Sequence, residues 1–113
     1  MEQVRTRMSA PPITVQADSS YQRALRLMDE HRLHHVPVVD SEGRLVGIVT
    51  ERDLLLAASH YGQADIEVAE IMHKGAVTAT PEMTIAQAAE LMLSKRIGGL
   101  PVVTDEQHIV GVI

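Results

Sequence analysis

The sequence predicts a mixed α+β fold (α/β elements in small sheets) made of two copies of one β-α-β-β-α unit, arranged as a pseudo-two-fold pair. Three observations carry that prediction. Residues 4–49 recur as residues 68–113 at a constant offset of 64 without a gap: Val4 falls on Val68, Met8 on Met72, Ala24 on Ala88, Leu27-Met28 on Leu91-Met92, Pro37-Val38-Val39 on Pro101-Val102-Val103 and Val46-Gly47 on Val110-Gly111. Each copy holds one apolar stripe of helical period followed by two short β-branched runs separated by turn residues. The composition, 45% hydrophobic but only 2% aromatic, calls for a core of Val, Ile, Leu, Met and Ala. The period is longer than that of common solenoid repeats, and two copies are too few for an open array, so a closed pair of units is expected.

In the first copy, Ile13-Thr14-Val15 reads as a short extended segment. Ser20 is an N-cap for a helix running to about His31, with Tyr21, Ala24, Leu25 and Met28 on its apolar face. In the second copy Thr84 caps the corresponding helix, and Ile85, Ala88, Ala89 and Met92 are its expected core face. His35 to Val39 reads as a strand, with Pro37 near a strand start or edge; Asp40-Ser41-Glu42-Gly43 is a hairpin loop and Arg44 to Thr50 the next strand. Glu51 to Ala58 has high helix propensity, ended by Tyr61-Gly62-Gln63. The expected division is residues 1–62 for the first repeat and 63–113 for the second. The second copy stops at Gly111-Val112-Ile113, so its last strand is expected to be truncated.

A formal net charge of −5, two Tyr, no Phe or Trp and no Lys/Arg cluster exclude a phosphate-tracking, base-stacking surface, so no nucleic-acid partner is expected. Cysteine is absent, which removes disulfide and thiol chemistry. No apolar run is long enough to span a membrane, and the opening MEQVRTRMSAPP lacks a signal-peptide core, so a cytoplasmic location is expected. There is no Gly-x-Ser-x-Gly, no GxGxxG and no Walker-type GK[ST], and no pair of catalytic carboxylates stands out; the chain is read as non-enzymatic, with no catalytic residue.

The segments His35-Val36-Pro37-Val38-Val39-Asp40 and Gly43-Arg44-Leu45-Val46-Gly47-Ile48-Val49-Thr50-Glu51-Arg52-Asp53, with Gly98-Gly99-Leu100-Pro101-Val102-Val103 and Val110-Gly111-Val112-Ile113, resemble tandem cystathionine-β-synthase (CBS) repeats, together a Bateman module. The resemblance covers nearly the whole chain. It implies a small mixed sheet with two helices per repeat, repeats packed through their sheets, an adenosine-type ligand in an inter-repeat cleft, and dimerisation through CBS-CBS packing. It also implies a regulatory role, with AMP, ADP, ATP or S-adenosylmethionine as ligand rather than required cofactor, and a fused or associated enzyme or transporter as the regulated partner.

Family members contact nucleotide through a Gly-apolar-apolar-Thr/Ser-x-x-Asp segment, which here is Gly47 to Asp53. Asp53 is suited to accept both ribose hydroxyls, and the Thr50 hydroxyl to meet a phosphate oxygen. Thr-x-x-Asp is also close to a helix capping box, and spacing alone favours that reading; the resemblance favours the ligand, and one residue can serve both ends. His34 and His35 stand where the family places basic residues toward phosphates, so affinity for a phosphorylated ligand is expected to rise as pH falls through the histidine range. As plain sequence, they read equally as exposed loop residues. His31, His34 and His35 have metal-ligand spacing but no completing carboxylate or cysteine, and no metal is expected.

Ile13, Thr14, Val36 and Pro37 are candidates to line an adenine slot, or are simply core, and Arg52 is a candidate phosphate contact. A second, weaker cleft is expected at Thr78, Gly98, Gly99, Leu100 and Pro101, where two glycines replace the histidines. A ligand-free structural dimerisation module is the alternative function.

Overall fold

The computed structural model describes all of residues 1–113. Its strands are β1 (Val15–Gln16), β2 (His35–Val39), β3 (Leu45–Thr50), β4 (Pro101–Val103) and β5 (Ile109–Val112); its helices are α1 (Tyr21–His31), α2 (Glu51–Tyr61) and α3 (Ile85–Lys95). The chain divides into two compact units: a continuous one, Ile13–Ala76, and a discontinuous one, Met1–Pro12 with Val77–Ile113. These boundaries cut across the sequence repeats, because the opening segment of each copy joins the unit that holds the other copy's sheet.

In the continuous unit, β1 pairs parallel with β2 (Val15 with Val38), and β2 pairs antiparallel with β3 (His35 with Thr50, Val36 with Val49). The hairpin turns on Asp40, whose Oδ1 accepts the Glu42 and Arg44 amides at 2.9 and 3.0 Å, and on Gly43, whose φ of 79° suits glycine. Ser20 caps α1 by accepting from the Arg23 amide. The helix presents Tyr21, Ala24 and Met28 to a core shared with Val36, Val38, Val49, Leu54, Ala57 and Val68. Tyr21 is buried, and its hydroxyl donates to the Gly62 carbonyl.

Three expectations are corrected. The first strand lies at Val15–Gln16 rather than Ile13-Thr14-Val15: Thr14 would fall opposite Pro37, which has no N–H to extend the ladder. Pro37 itself is central in β2, the middle strand, rather than at a start or edge. Its partner across the sheet, Ile48, exchanges both backbone bonds with His73 instead, so the register asks nothing of the missing donor.

The third concerns α3. Its cap is as expected, with Thr84 accepting from the Gln87 amide and Gln87 returning a bond to the Thr84 amide. Ala89, however, is exposed, and the inward face is Ile85, Ala88, Leu91 and Met92. With Ala88 fixed on the core, the next residue is turned about 100° away, and the stripe continues through Leu91 instead. This unit's core also contains Val4, Ala79, Leu100 and Val102. Its sheet is the β4–β5 hairpin, and the counterpart of β1 is reduced to one parallel bridge, Ala79 with Val102.

Candidate functional site

The chemistry-bearing residues of the continuous unit gather where β3 ends and α2 begins. Thr50 is the last residue of β3 and the N-cap of α2: its Oγ1 accepts the Asp53 amide at 3.1 Å and donates to Asp53 Oδ2 at 2.7 Å. That is the capping arrangement legible in the sequence, and it occupies the hydroxyl in both directions. The Glu51 amide donates to the His34 carbonyl at 2.8 Å, tying the helix start to the segment before β2. Glu51 and Asp53 in the first turn also meet the positive end of the helix.

The Asp53 carboxylate has a partner that sequence reasoning missed. His73 Nε2 lies 2.6 Å from Asp53 Oδ2, the same oxygen that Thr50 uses, and no hydrogen bond reaches Oδ1. Partial burial alone would raise the Asp53 pKa; the Thr50 hydroxyl, His73 and the charges of His73 and Arg52 outweigh it and hold the carboxyl below its ordinary range. His73 is placed by the backbone: its N–H and C=O both bond Ile48, at 2.8 and 2.9 Å. Gly47 makes that approach feasible, since a Cβ there would lie 2.8 Å from the His73 carbonyl oxygen and 2.7 Å from the Met72 sulfur.

Of the other predicted residues, His34 is exposed and its Nδ1 lies 3.2 Å from Glu51 Oε1, so a carboxylate already faces it. His35 is exposed and opposite Thr50 in the β2–β3 register, which brings it beside the site. Val36 and Pro37 are buried, Ile13 and Thr14 half-buried, and Arg52 is exposed without an ion pair. In the discontinuous unit Leu100 and Pro101 are buried and Thr78 and Gly99 half-buried. Gly98 is exposed, with open space where a side chain would stand. An open groove of about 600 Å³ on α3, lined by Thr80, Glu82, Met83, Gln87, Glu90, Leu91 and Ser94, contains none of the predicted residues. No three His, Cys, Asp or Glu side chains converge as a metal site, and no helix is long and apolar enough to cross a membrane.

Comparison with known proteins identifies the relatives of this chain. The CBS domain model matches residues 2–60 and again 68–113. The CBS domain pair of protein MJ0100, solved in complex with 5′-methylthioadenosine and S-adenosyl-L-methionine, is 33% identical, with a TM-score of 0.86 over 100% of this chain and 89% of that one. CBSX2, solved in complex with AMP, is 25% identical, with a TM-score of 0.88 over 100% of this chain and 90% of that one. Among curated proteins, L-aspartate semialdehyde sulfurtransferase of Methanocaldococcus jannaschii is 34% identical over 97% of this chain, which spans only 21% of that protein's length. The chain belongs to the CBS domain family, and carries two CBS domains in tandem.

Proposed function

We propose that this chain is a non-catalytic regulatory module that binds an adenosine-containing nucleotide, with the Asp53 carboxylate accepting the ribose hydroxyls. The observation that carries this reading is the acid itself: Asp53 is held ionised at the head of α2, with Oδ1 open. The adenosyl compounds and AMP bound by the MJ0100 pair and CBSX2 support the ligand class. In this reading His34, His35 and Arg52 face phosphates, while Ile13, Thr14, Val36 and Pro37 form the apolar wall for adenine. Thr78, Gly98, Gly99, Leu100 and Pro101 form a weaker second site without cationic side chains. The module acts as a cytoplasmic homodimer and reports ligand level to a fused or associated enzyme or transporter, to the extent that ligand binds two arrangements of the module unequally.

One observation favours the alternative of a ligand-free dimerisation module. Thr50 and Asp53 already form a complete helix cap, while Leu55 and Leu56 of α2 remain exposed. Calorimetry with AMP, ADP, ATP, S-adenosylmethionine and 5′-methylthioadenosine separates the two. The proposal expects a dissociation constant from about micromolar to sub-millimolar, roughly −8 to −5 kcal/mol, lost in Asp53→Ala while circular dichroism shows that variant folded. If no compound binds the wild type, the scaffold reading replaces it.

A further inference from the structure

A carboxylate that holds a ribose diol in bidentate fashion offers one oxygen to each hydroxyl, and Asp53 has only one oxygen open. Oδ2 receives both the Thr50 hydroxyl at 2.7 Å and the His73 imidazole at 2.6 Å. Two donors fill the two lone-pair positions of that oxygen. They are not equally committed. Thr50 is the cap of α2 and also accepts the Asp53 amide, so removing it uncaps the helix. His73 is bound to Asp53 by its ring alone, and its side chain is 68% exposed against 25% for Asp53. A ligand that takes both carboxylate oxygens therefore displaces His73 and leaves Thr50 in place.

We infer that His73 is an intramolecular competitor for the ribose-binding carboxylate of Asp53, and that protonation of His73 strengthens the competition and lowers affinity for adenosine compounds in acid. This rests on the reading of Asp53 given above. The sign follows from the charges. Neutral imidazole gives Asp53 one hydrogen bond; imidazolium gives a charge-assisted bond and an ion pair, which ligand must break. From α2, Asp53 faces His73 and Arg52 acts on the same carboxylate; from β3, Ile48 meets His73 through backbone alone. No other charged side chain is bonded to either partner. The His34 and His35 effect has the opposite sign but requires a ligand phosphate, so a ligand without phosphate isolates His73.

The test is calorimetry of adenosine, 2′-deoxyadenosine and AMP on the whole chain at pH 8 and pH 6, with wild type, His73→Ala, His73→Gln and Asp53→Asn. Circular dichroism checks folding, and His73→Gln, which keeps a donor without a titrating charge, serves if His73→Ala does not fold. Wild type is expected to bind adenosine roughly two- to five-fold more weakly at pH 6 than at pH 8, the range of a partly exposed ion pair. His73→Ala and His73→Gln lose that dependence, and His73→Ala binds adenosine more tightly than wild type at pH 6. For 2′-deoxyadenosine, which needs one carboxylate oxygen, His73→Ala gives no gain. Adenosine binding that is lost in Asp53→Asn but has the same pH profile in wild type and both His73 variants overturns the inference and leaves the binding site standing. Failure of adenosine and AMP to bind wild type overturns both.

Discussion

The two compact units use the same contacts in the same register, yet different side chains stand around them. Ile48 bridges His73 in the continuous unit, and Val112, its counterpart at the offset of 64, bridges Ser9 in the discontinuous one. Ser20 pairs with Glu67, and Thr84 with Gln3. The same methionine covers the same glycine: Met72 against Gly47, Met8 against Gly111. Both hairpins shift register at the same place, between Val38 and Val39 and between Val102 and Val103. The frame is thus a property of the repeated sequence. At the edge of that frame the copies part: His73 against Ser9, His34-His35 against Gly98-Gly99. At the bridge, the His73 imidazole reaches the Asp53 carboxylate. Apolar and glycine positions are held alike by packing, while exposed edge positions are free to diverge into different chemistry.

That comparison is tested most severely in the cores. Met28 is fully buried on α1, but its counterpart Met92 is only partly buried on α3. Met28→Ala is expected to cost about 2–5 kcal/mol of stability, and Met92→Ala distinctly less, because a cavity lined on every side cannot relax as a half-open one can. Urea melts of the two variants check this, and equal losses would break the ranking.

The glycine pair is the next test. Alanine at Gly47 brings a Cβ within 2.8 Å of the His73 carbonyl, and alanine at Gly111 within 2.9 Å of the Ser9 carbonyl. Both oxygens are tied into backbone bonds, to Ile48 and Val112, and cannot swing away as a methionine tip can. Gly47→Ala and Gly111→Ala should each cost about 1–3 kcal/mol. Thermal melts showing one variant unaffected would mean the two contacts are not equivalent.

The smallest effect is confined to acid. Asp53 has a folded-state pKa below its ordinary 3.8, so its share of stability is present above the unfolded value and is lost as pH falls through the folded one. Asp53→Asn should therefore flatten the decline in stability below about pH 4. Chemical denaturation at pH 3, 4 and 7 measures the difference.

Much of this was legible beforehand because its causes are local or periodic. Ser20, Thr50 and Thr84 announce helix starts by placing an oxygen next to unpaired amides, and all three do cap helices. The stripe on α1 and the Asp40–Gly43 turn follow from side-chain period and from glycine's access to positive φ. The stripe on α3 was legible only in part, since Ala89 and Leu91 are both apolar and only the docked orientation of the helix chooses Leu91. The displacement of β1 followed from its pairing partner: nothing local to Thr14 says that it would fall opposite a proline.

His73 belongs to the same category. Twenty residues separate it from Asp53, and no local motif joins the two. Only the Ile48 bridge, which needs Gly47 to let the backbones approach, brings them together. By itself, then, the sequence determined the repeated β-α-β-β frame, its caps and its apolar positions, since those depend on period, propensity and neighbouring amides. Tertiary structure alone decided which opening segment completes which sheet, and hence which side chain meets the Asp53 carboxylate, because pairing between distant segments is set by the fit of whole surfaces.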